Sequence, residues 1–292
     1  MADHSGVDVS IVVPVHNGGA LLSRQLLALA GQDFAGRYEV VVVNNRSTDD
    51  SLTVSTAFAE RDPVFRVFDA PRATSISDAT NIGVRAAFAD LILTTDQDDL
   101  VCREWITQMC SGLESFSIVS GATLLQPEPL DANQFANPEF PSSLLVHGDF
   151  LPFAMNCNMG FTRELFGQIN GFDRRMDQAQ DVDFCWRAQL RGHELGFVRD
   201  AKLLKSMRTS NRGKFKQHRG YGAADVDLER RFRVSGYTGL RRRAAKQAAW
   251  LVARAPHAAL RPDQRSEWAA VAGRVSGVAS ASLRGVITEE RG

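Results

Sequence analysis

The sequence predicts an α/β protein built on a mostly parallel sheet with helices on both faces. Between residues 8 and 200, short apolar runs rich in β-branched residues alternate with segments of helical periodicity. The apolar runs are nearly continuous instead of alternating with polar residues, which is typical of strands buried on both faces. Strand and helix in strict alternation predict right-handed crossovers in one sheet.

The individual elements follow from these patterns in chain order. We predict strands at 9–15, 38–45, 64–70, 91–95 and 117–125. We predict helices at 18–31, 47–62, 75–90 and 103–116. The second of these helices begins with Ser, Thr and Asp residues, which are favourable at a helix N-terminus.

The second half of the chain is less regular. Residues 126–160 are rich in Pro and Asn and are predicted to form a loop. A short helix with a Gly turn is expected within 161–173, and a helix followed by a last strand within 179–198. The basic, Gly-punctuated segment 205–222 is predicted as a loop, and residues 238–258 as an amphipathic helix.

Charge divides the chain into an acidic and a basic part. Residues 1–200 contain 14 Lys+Arg and 27 Asp+Glu, a net charge of −13, while residues 201–292 contain 20 and 7, a net charge of +13. The basic part predicts affinity for phosphates or anionic lipid.

The cysteines and the apolar runs bear on the compartment of the protein. The four cysteines fit no zinc motif or disulfide framework, and no apolar run suits a signal peptide or a membrane span. We therefore expect a cytoplasmic protein.

Polar side chains follow three of the predicted strands. Asp96, Asp98 and Asp99 follow the fourth strand, His16 and Asn17 the first, and residues 44–48 the second. Ligands of such sheets bind at the carboxyl ends of the strands, so these clusters are expected to meet at one edge. The pattern Asp-x-Asp-Asp favours a hard divalent cation such as Mg²⁺ or Mn²⁺. A solvated acidic turn, or a cap for the helix that follows, is the alternative.

Three further groups are candidates, each with a structural alternative. Asn44 and Asn45 suit a base edge or a ribose, although the turn also serves to cap a helix. Asp181 lies near a helix N-terminus, where it could act as a base or only as a cap. A basic segment could fold over a pyrophosphate or could form a solvated or lipid-facing surface; it contains Arg208, Arg212, Lys214, Lys216, His218 and Arg219. The first three of these are the candidate pyrophosphate contacts.

Six stretches together resemble one family. They are VSIVVPVHN, VVVNNRSTDDS, DATNIGVRAA, LTTDQDDLV, NMGFTRELFGQINGFD and QDVDFCWRAQLRG. Their order over about residues 8–200 is similar to that of family 2 glycosyltransferases with the GT-A fold. The resemblance implies transfer of a sugar from a nucleotide-sugar (UDP-, GDP- or dTDP-linked) to a hydroxyl of a glycan or lipid-linked acceptor, with inversion. It also implies a catalytic domain at 1–204, with a nucleotide-sugar half at about 8–100 and an acceptor half at about 101–204, and a helical, basic extension at 205–292.

The resemblance assigns roles to individual residues. It implies Mn²⁺ or Mg²⁺ bound by Asp98 with Asp96, and Asp181 as the catalytic base. The nucleotide-sugar would be bound by Pro14, His16, Asn17, Asn44, Asn45, Arg46, Asn81, Asp96 and Gln97.

The sequence also departs from the family pattern. Asn44 and Asn45 replace the usual aspartates, and Arg46 stands where Gly or Asn is common. Thr80 precedes Asn81 where many members have Arg, and Gln180 precedes Asp181 where Glu is usual. Lys205 stands where many members have His. The absence of Gln-x-x-Arg-Trp predicts a non-processive enzyme.

Three other classes of function are alternatives to this one. A degenerate binding or scaffold subunit would account for the departures, whereas retention of the three aspartates at 96, 98 and 181 argues against it. A sugar-phosphate nucleotidyltransferase would need a basic Gly-rich loop after the first strand, and a dinucleotide-binding dehydrogenase would need G-x-G-x-x-G there; the sequence has neither.

The basic C-terminal part predicts peripheral contact with the inner face of the plasma membrane during envelope glycan or glycolipid synthesis. Packing on the catalytic domain and an oligomer contact are the alternatives. Nucleic-acid binding is not expected.

Overall fold

A computed structural model describes residues 6–137, 139–176, 178–207 and 209–289. It consists of two compact units. The first unit contains the chain up to His147 together with Leu151–Arg175 and Gln180–Met207. The second contains Gly148–Phe150, the described residues of Met176–Ala179, and those after Met207.

The first unit is built on an eight-stranded sheet. Its strands, with a separate two-stranded pair, are β1 Val9–Val15, β2 Tyr38–Asn44, β3 Phe65–Asp69, β4 Leu91–Thr94, β5 Leu100–Val101, β6 Ile118–Gln126, β7 Leu145–Val146, β8 Pro152–Phe153, β9 Met159–Thr162 and β10 Leu195–Ser206. The order across the sheet is β3-β2-β1-β4-β9-β6-β10-β5, and β7 pairs with β8. Strand β9 is antiparallel to β4 and β6, and β5 is antiparallel to β10; the other pairs in the large sheet are parallel. The predicted α/β class is confirmed, with a mixed sheet.

Buried strands divide their side chains between two apolar clusters. Along β1, Ile11 and Val13 pack into one cluster with Leu22 and Leu26, whereas Val12 packs into the other with Val84. Alternate residues of a strand point to opposite faces, so a strand covered on both faces must be apolar throughout. This is the physical reason for the continuous apolar runs in the sequence.

Within the described residues of the first unit, six helices cover the sheet. They are α1 Gly19–Ala30, α2 Ser51–Arg61, α3 Ile76–Ala86, α4 Trp105–Leu113, α5 Arg163–Gln168 and α6 Gln180–Gln189. Helix α3 begins after Ser75, whose hydroxyl accepts a hydrogen bond from Asp78 N at 3.2 Å. It lies close to the sheet at Gly83, because a Cβ atom there would lie 2.4 Å from Cγ1 of Val12.

Two sequence predictions need correction. The predicted loop at 126–160 contains the short strands β7 and β8 and the first residues of β9. Strand β9 has only four residues and pairs with β4 and β6, so its place in the sheet depends on tertiary contacts that the local sequence does not indicate. The predicted loop at 205–222 is wrong, since β10 continues to Ser206 and a helix, α7, spans Asn211–Phe232. Its glycines lower its helix propensity, but the Ser210 hydroxyl caps it by accepting from Gly213 N at 3.1 Å.

The second unit contains three long helices. These are α7, α8 Leu240–Leu260 and α9 Arg265–Glu289, and α8 confirms the helix predicted at 238–258. Helices α7 and α9 approach closely at Gly277, where a Cβ atom would lie 2.1 Å from the Arg219 carbonyl oxygen. The buried carboxylate of Asp225 accepts two hydrogen bonds from Arg274, at 2.8 and 2.9 Å. Within the described ranges, no helix has both the length and the apolar character needed to cross a bilayer.

Candidate active site

The first and fourth strands of the sheet mark the point where the strand order reverses. Strand β1 has β2 on one side and β4 on the other, so a crevice is expected beyond their carboxyl ends. At that point the Gln97 side chain bonds to both backbone groups of His16. His16 N donates to Gln97 Oε1 at 2.7 Å, and Gln97 Nε2 donates to the His16 carbonyl at 3.0 Å. The structure therefore brings the predicted residues after β1 and β4 together.

The turn after the second strand joins the same edge. The Nδ1 atom of His16 lies 2.7 Å from the carbonyl oxygen of Asn45. Asn17 has a left-handed backbone conformation, with φ at 53°, and its Oδ1 accepts from Thr48 N at 2.8 Å. Its backbone N–H donates to the Ser47 hydroxyl at 3.1 Å. These hydrogen bonds hold the polar residues after β1, β2 and β4 together at one edge of the sheet.

Buried acceptors without donors lie on this edge. The Asn44 amide donates to Asp69 Oδ1 at 2.8 Å and the Asn45 amide to the Ser75 carbonyl at 3.4 Å. Within the part of the chain that the structure describes, no donor reaches Oδ1 of Asn44, Asn45 or Asp96. Leaving a buried acceptor unpaired costs about 1–3 kcal/mol. Such acceptors mark places where a ligand or water supplies the donor.

A lysine ammonium lies among the aspartates that follow β4. Lys205 Nζ is 2.8 Å from Asp96 Oδ2 and 3.2 Å from Asp99 Oδ2. The Asp99 side chain is fully buried, and its other oxygen accepts from Ser206 N at 3.2 Å. Lys205 and Asp96 each keep 23% of the side chain exposed. The acidic turn is thus partly neutralised by a residue from the strand β10.

The protonation of this cluster follows from burial and mutual attraction. Burial disfavours the charged form of Lys205, but attraction to Asp96 and Asp99 outweighs it and holds the pKa of the ammonium well above its usual value. Burial also raises the pKa of Asp99 to about 7, against the attraction of Lys205, and repulsion from Asp96 and Asp98 adds to the rise. The firm ion pair is therefore that between Lys205 and Asp96.

The same cluster is a poor fit for a hard divalent cation. Ligand atoms of Asp96, Asp99 and Cys157 lie within 4.8 Å of one another, which is compact enough to surround an ion. Burial raises the pKa of the Cys157 thiol well above its usual value, so it stays protonated, and Mg²⁺ and Mn²⁺ prefer oxygen ligands. The two carboxylates already share the ammonium of Lys205. The residues present suit a lysine at this position better than a metal ion.

The predicted metal ligand Asp98 lies in the same turn and is held through its backbone. Arg24 of α1 donates through Nη2 to the Asp98 carbonyl oxygen at 2.7 Å. Its Nη1 atom is 2.7 Å from Glu128 Oε2, so one guanidinium joins two loops. This arrangement fixes the course of the turn that carries the acidic side chains.

Asp181 lies at the first turn of α6, where a base was predicted. Its Oδ2 accepts from Asn156 N at 3.2 Å and its Oδ1 from Val182 N at 2.9 Å. Burial raises the pKa of Asp181 above its usual value although these N–H groups favour the charged form, and the charge of Asp96 adds to the rise. A carboxylate with a raised pKa is a better proton acceptor than an ordinary one.

The neighbouring acid of α6 has a different role. Asp183 is fully buried and forms an ion pair with Arg187 at 2.7 Å. Asn156, which anchors Asp181, accepts through its carbonyl oxygen from Thr94 Oγ1 of β4 at 2.6 Å. Among the described residues, neither atom of the Asn156 amide finds a partner. The carboxylate of Asp183 is used in a buried ion pair, whereas that of Asp181 is linked through Asn156 to the end of β4. Asp181 is therefore the candidate base.

The remaining predicted residues are placed as follows. Pro14 is buried within β1, and Arg46 is exposed after β2 with φ at 53°. Asn81 bonds to both backbone groups of Phe172, at 2.8 and 2.9 Å, which uses its amide inside the protein. Arg212 and Lys214 lie on α7 of the second unit, and Arg208 lies outside the described residues. The predicted pyrophosphate contacts of these three basic residues stay predictions.

Sequence reasoning did not assign roles to Arg24, Asn156 or Cys157, and it treated Lys205 only as a departure. Lys205 falls in the basic segment that was predicted as a loop, and no local pattern there marks it as the partner of the acidic turn. No local pattern marks Arg24 or Asn156, because their partners are distant in the sequence.

Comparison with known proteins shows the family of this chain. The model of the family described as "Glycosyl transferase family 2" matches residues 10–169, more than half of the chain. The chain belongs to glycosyl transferase family 2. A pre-mycofactocin glycosyltransferase of Mycobacterium tuberculosis is 25% identical over 237 residues, which is 76% of this chain and 47% of the relative. An N-acetylglucosaminyltransferase of Bradyrhizobium elkanii is 29% identical over 109 residues, 36% of this chain and 59% of the relative. This family member therefore spans about half the length of the curated relatives that it matches first.

Solved structures of low sequence identity show the same fold. Mannosyltransferase PcManGT from Pyrobaculum calidifontis, in complex with GDP-Man and Mn²⁺, matches with a TM-score of 0.66 at 19% identity, over 95% of this chain and 86% of that one. TarS residues 1–349 from S. aureus, in complex with UDP, matches with a TM-score of 0.55 at 16% identity, over 95% and 92%. The mixed sheet flanked by helices is the GT-A fold, as the sequence predicts.

Proposed function

We propose that this chain transfers a hexose from a nucleoside-diphosphate sugar to an acceptor hydroxyl with inversion at the anomeric carbon. The observation that carries the proposal is the presence, at one edge of the sheet, of both Asp181 and the Asp96–Lys205 pair. Family membership and solved neighbours in complex with GDP-Man, UDP or UDP-GlcNAc support a donor of this class.

The donor is bound beyond the carboxyl ends of β1, β2 and β4. The unpaired oxygens of Asn44 and Asn45 suit N–H or O–H donors of a base or ribose. Asp96 and Gln97 follow β4 and lie beside His16 of the neighbouring turn. The diphosphate then lies on the side of the acidic turn, with the sugar toward Asp181.

Asp181 acts as the general base. As the acceptor oxygen forms a bond to the anomeric carbon, its proton passes to the Asp181 carboxylate. The bond between that carbon and the diphosphate oxygen breaks, and the nucleoside diphosphate leaves with the electron pair. Attack from the face opposite the leaving group inverts the configuration. The bonds from Asn156 and Val182 hold the carboxylate in place during the proton transfer.

Metal use is a separate part of the proposal. The prediction of Mn²⁺ or Mg²⁺ bound by Asp98 with Asp96 is supported by the neighbour in complex with Mn²⁺. The ion pair of Asp96 with Lys205 argues against the Asp96 half of that prediction. No catalytic step above depends on a metal ion.

The acceptor is proposed to be a glycan or a lipid-linked glycan of the cell envelope, with one sugar added in each encounter. Helix α8 supports a location at an anionic membrane surface, since Arg241, Arg242 and Lys246 are exposed on it. Val252 of the same helix is 77% exposed. Exposed cations beside exposed apolar groups suit an interfacial helix.

The test is a transfer assay with matched acid-to-amide variants. Wild type, Asp181→Asn and Asp90→Asn are incubated with UDP-, GDP- and dTDP-hexoses and a glycolipid extract, and release of nucleoside diphosphate and labelled product are followed. Asp90 is 89% exposed in its side chain and serves as the control. We expect Asp181→Asn to bind donor normally and to lose about 10²–10⁴-fold in rate, the usual contribution of a general base. Donor binding without any transfer by the wild type would support a binding or scaffold subunit instead.

A further inference from the structure

The acidic turn after β4 presents an electrostatic difficulty for a nucleotide-sugar. Asp96, Asp98 and Asp99 place three carboxyl groups beside the expected diphosphate, and like charges repel at this range. A cation beside the turn would offset this repulsion. The structure supplies one from the chain itself, the ammonium of Lys205.

The geometry of Lys205 suits a resident cation. An ammonium has three N–H donors, and the contacts to Asp96 and Asp99 use two of them. Among the described residues these two contacts leave a third N–H donor, and 23% of the side chain remains exposed. The carboxylates of Asp96 and Asp99 therefore hold the ammonium of Lys205 in place, and the exposed part of the side chain leaves room for a ligand.

A divalent cation would compete with the ammonium for the same carboxylates. A divalent ion at the same position would have to displace the ammonium from two carboxylate oxygens and accept the sulfur of Cys157 as its neighbour. Hard cations favour oxygen ligands over such a thiol. At Asp96 and Asp99, the ammonium already makes the contacts that a metal ion would make.

We propose that Lys205 is the built-in cation of the donor site, that its ammonium contacts the diphosphate of the nucleotide-sugar, and that this makes donor binding independent of a divalent metal. The inference rests on the proposed function. It adds a residue that contacts the leaving group: as the bond to the anomeric carbon breaks, negative charge grows on the diphosphate oxygen, and the fixed ammonium stabilises it.

The experiment compares three variants with the wild type. Lys205→Met keeps the apolar stem and removes the charge, and Lys205→His introduces a side chain that can bind a metal ion. Lys202→Met is the matched control on the same strand, since Lys202 Nζ donates to the Phe135 carbonyl at 3.3 Å and not to the acidic turn. Calorimetry measures affinity for UDP, GDP and dTDP, and for the matching nucleosides, in EDTA and in excess Mn²⁺. Thermal unfolding checks that each variant is folded.

We expect the wild type to bind one of these diphosphates with equal affinity in EDTA and in Mn²⁺. Lys205→Met should lose about tenfold to a hundredfold in diphosphate affinity in EDTA, the usual effect of removing a charged hydrogen-bond partner, with nucleoside affinity unchanged. Lys202→Met should match the wild type. Lys205→His should bind Mn²⁺ in the absence of nucleotide, as measured by electron paramagnetic resonance, while the wild type does not.

Two outcomes would overturn the inference while leaving the proposed function intact. One is wild-type binding that requires Mn²⁺, and the other is Lys205→Met with wild-type affinity in EDTA. The wild-type comparison needs no variant, so it decides the question even if Lys205→Met does not fold. Absence of binding to every diphosphate in both conditions would remove the donor site itself and with it the proposed function.

Discussion

Lys205 Nζ lies 2.8 Å from Asp96 Oδ2, although the two residues are 109 positions apart in the chain. The contact joins the end of β10 to the turn after β4, so the last strand of the catalytic sheet supplies the counter-charge of the acidic turn. The ammonium thereby offsets part of the negative charge that would repel the proposed nucleotide-sugar donor. The following predictions concern the residues that hold this arrangement.

Activity should fall on the acidic side at a higher pH than an ordinary aspartate would give. The pKa of Asp181 is raised mainly by burial, and a protonated Asp181 cannot accept the proton of the acceptor hydroxyl. The acidic limb of the kcat profile, measured at saturating donor, should therefore lie above the usual titration range of aspartate. A limb within the ordinary range, or a limb that persists in the residual activity of Asp181→Asn, would assign the titration to another group.

Stability should respond to the same carboxyl group with a defined sign. Because its folded-state pKa is raised above the unfolded value, the folded protein binds this proton more tightly than the unfolded chain does. Its contribution to stability is fully present below the unfolded pKa and is lost as pH rises through the folded pKa. Relative to the wild type, Asp181→Asn should therefore gain free energy of unfolding as pH is raised through this window, measured by urea unfolding. A difference that stays constant with pH would contradict the raised pKa.

Removing Arg24 should weaken donor binding although Arg24 contacts the acidic turn only through the backbone of Asp98. Its guanidinium holds the Asp98 carbonyl and the Glu128 carboxylate, so Arg24→Met should loosen the turn and raise the KM for donor about tenfold. Arg103→Met is the control, since Arg103 is 73% exposed and lies 3.9 Å from Asp33. Equal KM values for the two variants would show that the Arg24 contacts do not shape the site.

Asn81 should affect stability more than binding. Asn81→Ala leaves the buried N–H and C=O groups of Phe172 without their partner and should lower the free energy of unfolding by about 2–4 kcal/mol. Asn133→Ala, at an exposed asparagine, should change it little. Urea unfolding gives the free energies, and calorimetry with nucleoside diphosphate gives the binding. A loss of affinity with unchanged stability would restore the nucleotide contact predicted from the family resemblance.

The basic helix α8 should bind anionic vesicles. Arg241→Glu with Arg242→Glu should reduce sedimentation with phosphatidylglycerol vesicles about tenfold or more, since each cation near such a surface contributes about 1 kcal/mol. Phosphatidylcholine vesicles should show no such effect. The matched variant Arg61→Glu with Arg103→Glu reverses the same number of exposed charges in the first unit. Equal loss in both double variants would indicate a general charge effect and no role for α8.

Sequence patterns predicted the features of this molecule that depend on neighbours along the chain. The buried strands at 9–15 and 38–45 follow from apolar runs, and the edge that carries His16, Asn45 and Asp96 follows from the alternation of strand and helix. Strand β9 was missed because its place in the sheet depends on β4 and β6. The helix α7 was missed because packing against α9 overrides its glycines. The partner of Asp96 was missed because the pattern Asp-x-Asp-Asp indicates the need for a cation without specifying which one.

The most direct test of the central claim is a crystal structure with the nucleoside diphosphate that calorimetry selects, grown in EDTA. We predict the base beside Asn44 and Asn45, and the diphosphate within hydrogen-bond distance of Lys205 Nζ with no metal ion between them. A nucleotide bound away from the carboxyl ends of β1 and β4 would contradict the assignment of the donor site.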